Sequence, residues 1–272
     1  MLKPFYLQGC RGRLFCIYHL PNQDRPLLGA ILYIHPFAEE MNKSRRMAAL
    51  QARRFADAGF AVLMPDLYGC GDSSGDFSEA RWDVWMTDLV SCWDWLQSQI
   101  SGYFCVWGLR LGAILASELS LNRSDINKFI YWQPVLSGQL LLNQFLRVRI
   151  AAGMFSGEKE TTAGLRELLA HGHNVEIAGY RLHPELAFAI DNAKLLKPNS
   201  NSGLTIDWYE IVANENRPIP TLTQRVMDDW RTAAVVVHAQ SVVGEPFWAT
   251  QEITVVSTLL EQTTANLAKT IS

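Results

Sequence analysis

The chain predicts an α/β fold: a mostly parallel central sheet with helices on both faces. Three observations carry this. Short apolar runs rich in β-branched and aromatic residues alternate with amphipathic stretches. One such run passes through the glycine-framed turn GLRLG straight into a helical pattern. And 272 residues, 49% hydrophobic and 19% charged, suffice for a sizeable core in one domain carrying an insertion.

The elements follow in order. LFCIYHL (14–20) and GAILYIHP (29–36) read as strands, short and bounded by Pro or Gly. NKSRRMAALQARRFADA (42–58) has apolar residues at helical spacing, with Asn42 or Ser44 as N-cap and Gly59 as stop. FAVLMPD (60–66) is the next strand. RWDVWMTDLVSCWDWLQSQ (81–99) is an amphipathic helix, and its Trp82, Trp85, Trp93 and Trp95 are expected to cover the sheet. YFCVW (103–107) is a buried strand, LGAILASEL (111–119) a helix and NKFIYWQPV (127–135) a strand entering a loop. Residues 138–200 then break the rhythm with the helical pieces 141–155, 162–172 and 184–196, expected to form an inserted cap. KPNSNSG (197–203) is its polar exit loop. LTIDWYEIV, TLTQRVMDDWR, TAAVVVHAQSVV and ATQEITVVSTLLEQTTANLAK resume the alternation to the end.

A net charge of -3 implies no global attraction to nucleic acid or anionic lipid. The N-terminus has no long apolar segment of the kind a signal peptide needs, and no 18-residue apolar run follows. The expectation is a cytoplasmic protein without a transmembrane segment. Five cysteines without metal-ligand or CxxC spacing suggest reduced core residues; no metal and no cofactor are expected.

In such sheets ligands bind beyond the carboxyl ends of the strands. The loops there begin with HPFAEEMNKSRR, PDLYGCGDSSGD, WGLRLG, WQPVLSG, VANENRP and VVGEPFW. HPF resembles the oxyanion-loop position of α/β-hydrolases, and GLRLG matches the glycine frame of their nucleophile elbow. The strings HPFAEEMNKSRRM, DLYGCGDSSGDF, WGLRLGA, WQPV, EIAGYRL and GEPFWATQEI resemble, over nearly the whole chain, the second type of exosortase A system-associated hydrolase. This resemblance implies an α/β-hydrolase fold with its cap between the sixth and seventh strands. It also implies a bacterial setting beside exopolysaccharide genes and the exosortase that sorts proteins with a PEP-CTERM tail.

The elbow exists to expose a serine hydroxyl on a sharp strand-to-helix turn. Here Arg110 occupies that position, and a guanidinium offers donors only, so it serves as neither nucleophile nor base. The triad histidine belongs in the loop after the last strand, where Phe247 and Trp248 stand; His238 comes several residues too early and reads as a core residue. Glu215, in VANENRP, is suitably placed for the acid. Among substitutes for the serine, Cys70 paired with His35 is one arrangement, and Ser73 or Ser137 are others. The setting of Cys70 and Ser73 among turn formers, and of His35 before Pro36, argues instead for backbone-shaping roles.

A cation at a helix N-terminus calls for an anion. If internal, it is drawn from Glu39, Glu40, Asp72, Glu215 or Glu245, and Arg110 is a structural lock; the many acidic residues in these loops favour this. If external, Arg110 with the backbone NH groups of Leu111 and Phe37 binds a small anionic or acyl ligand, with His35, Ser73, Trp132 and Trp248 as further lining. The functional expectation is a non-catalytic or atypical hydrolase-like accessory or ligand-binding protein, with a protein partner in the exosortase or exopolysaccharide system. The alternative is an active esterase, thioesterase or peptidase with a rearranged nucleophile.

Overall fold

The structure, a computed structural model, describes residues 1–153, 160–199 and 204–271. Its central sheet contains β1 (Leu2–Gln8), β2 (Arg13–His19), β3 (Gly29–Ile34), β4 (Phe60–Pro65), β5 (Tyr103–Leu109), β6 (Lys128–Trp132), β9 (Thr205–Val212) and β10 (Val236–Val243). The strands lie in the order β1-β2-β4-β3-β5-β6-β9-β10. β1 pairs antiparallel with β2 and β2 antiparallel with β4, while every later pairing is parallel. β3 and β6 are buried at every position, as strands covered on both faces must be, and β1 at the edge is largely exposed.

Side-chain alternation divides the core into two layers. One packs under α2 (Trp82–Gln99), α3 (Leu111–Leu119) and α7 (Thr221–Thr232). The other packs under α1 (Glu39–Asp57) and α8 (Ser257–Ile271). Between β6 and β9 the chain builds α4 (Gly138–Gly153), α5 (Thr162–Ala170), a hairpin of β7 (Val175–Ile177) and β8 (Tyr180–Leu182), and α6 (Pro184–Asn192). This inserted part is tied to the body by Arg81–Glu185 at 2.7 Å, by Asn42 donating to the Tyr180 hydroxyl at 2.9 Å, and by ring contacts of Phe77 with Tyr180 and Phe37 with Phe145.

Several sequence expectations change. β1 is an additional strand, marked only by weak alternation at an exposed edge. EIAGYRL is a hairpin, turned by Ala178 and Gly179, both at positive φ. α1 begins at Glu39, three residues before the expected cap, and neither Asn42 nor Ser44 caps it; Ser44 is buried mid-helix and donates to the Glu40 carbonyl. The stretch after β10 becomes helical only at Ser257. His238 is exposed on the edge strand β10 and is no core residue. The end of the 141–155 piece and part of KPNSNSG lie outside the described residues. No helix among the described residues is long and apolar enough to cross a membrane.

Candidate functional site

β5 delivers the chain into α3 through one residue, Arg110, at φ 54° and ψ -116°. A side-chain-bearing residue holds such a conformation only where its surroundings enforce it. The flanking glycines supply the room. A Cβ on Gly112 would lie 2.1 Å from the Ile34 carbonyl oxygen, and one on Gly108 would lie 2.6 Å from the Ala113 nitrogen. Arg110 is further held by its backbone NH, which donates to Trp132 O at 3.1 Å, and by its carbonyl, which accepts from Ala113. The strained frame of a nucleophile elbow is thus built in full around an arginine.

Arg110 is 9% exposed, and its guanidinium is surrounded by protein groups. Nε donates to both Glu40 oxygens, at 3.1 and 3.4 Å. Nη2 lies 3.1 Å from Glu40 Oε1 and donates to Gln144 Oε1 at 3.1 Å. The Trp248 ring covers it, with Cζ 5.3 Å from the ring centroid. Four elements therefore converge: α1 through Glu40, the elbow, α4 of the insertion through Gln144, and the loop after β10 through Trp248. Burial pushes the Glu40 carboxyl above its usual range, and the Arg110 charge and hydrogen bond offset this only in part. Of the five acidic side chains the sequence offered, Glu40 is the one the structure brings to Arg110.

The strand ends on either side carry aromatic and carboxylate groups. After β10 stand Phe247 and Trp248, both buried, with rings 5.1 Å apart. After β9, Glu215 is exposed on the loop. Glu210, still inside β9 and 3% exposed, accepts from Trp208 Nε1 at 3.0 Å and from Gln133 Nε2 at 2.8 Å. Burial raises its carboxyl; among the groups opposing that is the charge of Arg110. Gln133, at φ 43°, also accepts the Ile211 NH at 2.6 Å, fixing the β6 and β9 ends together. Gln133, Gln144 and Glu210 were missed in the sequence. Their available signal was a polar residue inside an otherwise apolar run.

The remaining candidates fall into structural roles. His35 is buried; Nδ1 donates to Pro36 O at 2.8 Å while Nε2 accepts the Leu67 NH at 3.2 Å. Both ring nitrogens are engaged, and burial lowers its basicity. Cys70 is buried and its thiol pushed far up by burial, so the structure forms no activated Cys70–His35 pair. Ser73 donates to Asp66 O at 2.5 Å and accepts the Phe15 NH at 2.8 Å, stitching its loop to β2. Asp72 and Glu245 are exposed, and Asp72 contributes its backbone NH to Asp66. Trp132 is fully buried on the α8 face, donating to Thr263 Oγ1 at 3.0 Å; it lines no cleft at the elbow. Leu111 and Phe37 are buried beside the elbow, Phe37 against Phe77 and Phe145. Glu39 is partly buried, with Oε2 lacking a hydrogen-bond partner among the described residues. No group of three His, Cys, Asp or Glu among the described residues is arranged to hold a metal ion.

The sequence profile of the X-Pro dipeptidyl-peptidase (S15) family matches residues 14–132, from β2 through the elbow to the end of β6 and under half of the chain. An uncharacterized protein of Rickettsia prowazekii is 27% identical over 135 residues, covering 49% of this chain and 56% of that protein. Protein ABHD12B of Homo sapiens is 31% identical over 114 residues, covering 41% of this chain and 29% of that protein. The chain thus matches little more than half the length of the first relative and under a third of the second. Among solved structures, Est1E from Butyrivibrio proteoclasticus with bound ferulic acid superposes with a TM-score of 0.73 at 13% identity, covering 98% of this chain and 99% of that one. A carboxyl esterase from Bacillus coagulans gives 0.67 at 13% identity over 100% and 99%. Mouse alpha/beta hydrolase domain-containing protein 10 gives 0.63 at 15% over 99% and 100%. With this sheet order, elbow and insertion, the chain has the α/β-hydrolase fold.

Proposed function

We propose that this chain is a hydrolase-like protein that runs no serine-triad chemistry and acts as a non-catalytic accessory or ligand-binding protein in an exosortase and PEP-CTERM setting. One observation carries the loss of chemistry: the elbow side chain is a guanidinium already satisfied by Glu40 and Gln144 and covered by Trp248. A fixed cation cannot attack a carbonyl, and the Trp248 indole over it is a donor with no basic nitrogen to take up a proton. The setting rests on the sequence strings around the strand ends, and its partners are a small anionic or acyl ligand and a protein of the same system. Since Arg110 is met by a protein carboxylate, the internal lock is the stronger of its two roles.

The second reading, an active hydrolase with a rearranged nucleophile, is favoured by the match to the X-Pro dipeptidyl-peptidase family across the elbow. One experiment separates them. The protein is incubated with a fluorophosphonate and analysed by intact mass, and assayed with p-nitrophenyl acetate and Gly-Pro-p-nitroanilide. The expected result is no adduct and no turnover above the buffer rate. A stoichiometric adduct on Ser73, Ser137 or any other serine, together with turnover, overturns the proposal.

A further inference from the structure

The sheet ends in two edge strands, β1 and β10, and they are built differently. An edge offers a row of unpaired NH and carbonyl groups to any second strand, and proteins ordinarily interrupt that row with proline or charge. β1 does so. The Met1 carbonyl accepts the Leu20 NH, so by alternation the even-numbered residues of β1 turn their backbone groups outward. At Pro4 the outward NH is missing, and Lys3 stands beside it.

β10, VVHAQSVV, contains no proline, lysine, arginine or carboxylate. The Gly244 NH donates to Val212 O in β9, whereas the Val237 carbonyl accepts from Arg231, Nη2 at 3.0 Å and Nε at 3.3 Å. Even-numbered residues therefore bond to β9, and Val237, Ala239, Ser241 and Val243 turn their backbone groups to the open edge. Arg231 closes that edge at its first carbonyl only. Beyond it, the backbone groups of Ala239, Ser241 and Val243 meet no partner among the described residues, and Ser241 and Val243 are exposed.

The strand is its own complement when a second copy runs antiparallel to it. With the Val237 carbonyl already closed, the pairing that uses the three open residues without it sets Ser241 opposite Ser241 and Ala239 opposite Val243. The same register sets Gln240 opposite Val242 and the exposed His238 opposite Gly244, so no two charges and no two large side chains coincide. It also sets Val237, where Arg231 is held, opposite the exposed Glu245, and two-fold symmetry repeats that match at the other end of the pairing. A parallel copy in register would instead put Arg231 beside Arg231. We infer that β10 pairs antiparallel with β10 of a second copy about a two-fold axis at Ser241, continuing one sheet through both molecules. This interface holds whether or not the elbow carries chemistry.

The test is sedimentation velocity of the full chain over two decades of concentration, where a concentration-dependent shift to twice the mass of one chain is expected. Ser241→Pro removes an NH that β9 does not use, so it should abolish the dimer while circular dichroism shows a folded monomer. Ser241→Cys tests the axis without depending on that variant. In a Cys10→Ser background, where the other cysteines are buried, copper phenanthroline should cross-link the Ser241→Cys chain to a second copy; His238→Cys, which faces Gly244, should stay uncross-linked. Glu245→Lys should weaken the dimer about tenfold, as an attraction at each end becomes a repulsion. A monomer at every concentration overturns the proposal. A dimer that survives Ser241→Pro overturns it too, by placing the interface elsewhere. Cross-linking through His238→Cys but not Ser241→Cys, or a dimer left at full strength by Glu245→Lys, overturns the register.

Discussion

Arg110 combines two costs that a protein ordinarily avoids in one residue: a non-glycine at φ 54° and a buried cationic side chain. Both are tolerated because the same surroundings fix the backbone and supply the counter-charge. The glycines of the frame are the backbone half. Gly112→Ala would place a methyl 2.1 Å from Ile34 O, so β3 and α3 would have to separate; the expected outcome is loss of the cooperative thermal transition seen by circular dichroism. The sequence revealed the frame and the misfit arginine because both are local. It left five acidic partners open because the choice among them depends on how α1 enters. α1 starts at Glu39 from a strained Ala38, φ 50°, which brings Glu40 to Arg110. Cys70 makes the residue-scale contrast. Buried, with its thiol pushed up, it should resist iodoacetamide while exposed Cys10 is alkylated, as peptide mapping would show.

At the scale of elements, long periodic runs were legible and contact-dependent ones were not. β3, β4, β5 and β6 are apolar strands between turn signals, and their parallel pairing followed from alternation with helices. β1 was illegible because it lies largely exposed at the sheet edge, and the β7–β8 hairpin because its strands are three residues each; both are defined by their pairing partners rather than by their own pattern. Trp132 shows the limit in another way. Its position at a strand end suggested a cleft wall, yet parity along β6 turns it to the α8 face. There its indole NH donates to Thr263 Oγ1, which is fully buried. Thr263→Val preserves shape and removes the acceptor, so urea denaturation should show a loss of about 1–3 kcal/mol.

Over the whole molecule, buried titratable groups set opposing pH dependences. His19, 3% exposed, has its basicity lowered to about 4 by burial, with Arg53 adding to the effect. Its neutral form is the folded one, so its contribution is present above the ordinary imidazole range and is lost as pH falls toward about 4. Glu40 and Glu210 are raised by burial, so their contribution is present at low pH and lost as pH rises through their shifted values. His19→Gln should therefore flatten the acid limb of a stability profile measured by thermal melting from pH 7 to 4. A profile whose acid limb is unchanged by that substitution would rule out His19 as its source. The α/β fold as a whole was readable from the order of elements; the convergence of Glu40, Gln144 and Trp248 on Arg110 was not, since α1, α4 and the loop after β10 are far apart in sequence.

The lock itself is open to direct measurement by a double-mutant cycle between Arg110 and Glu40. Arg110→Met alone strands a buried carboxylate and should cost about 3 kcal/mol by urea denaturation. Combined with Glu40→Gln, the loss should be far from additive, giving a coupling of about 2 kcal/mol for groups in direct contact. A coupling near zero, with the two losses simply adding, would contradict the account that Arg110 is held by the protein's own carboxylate.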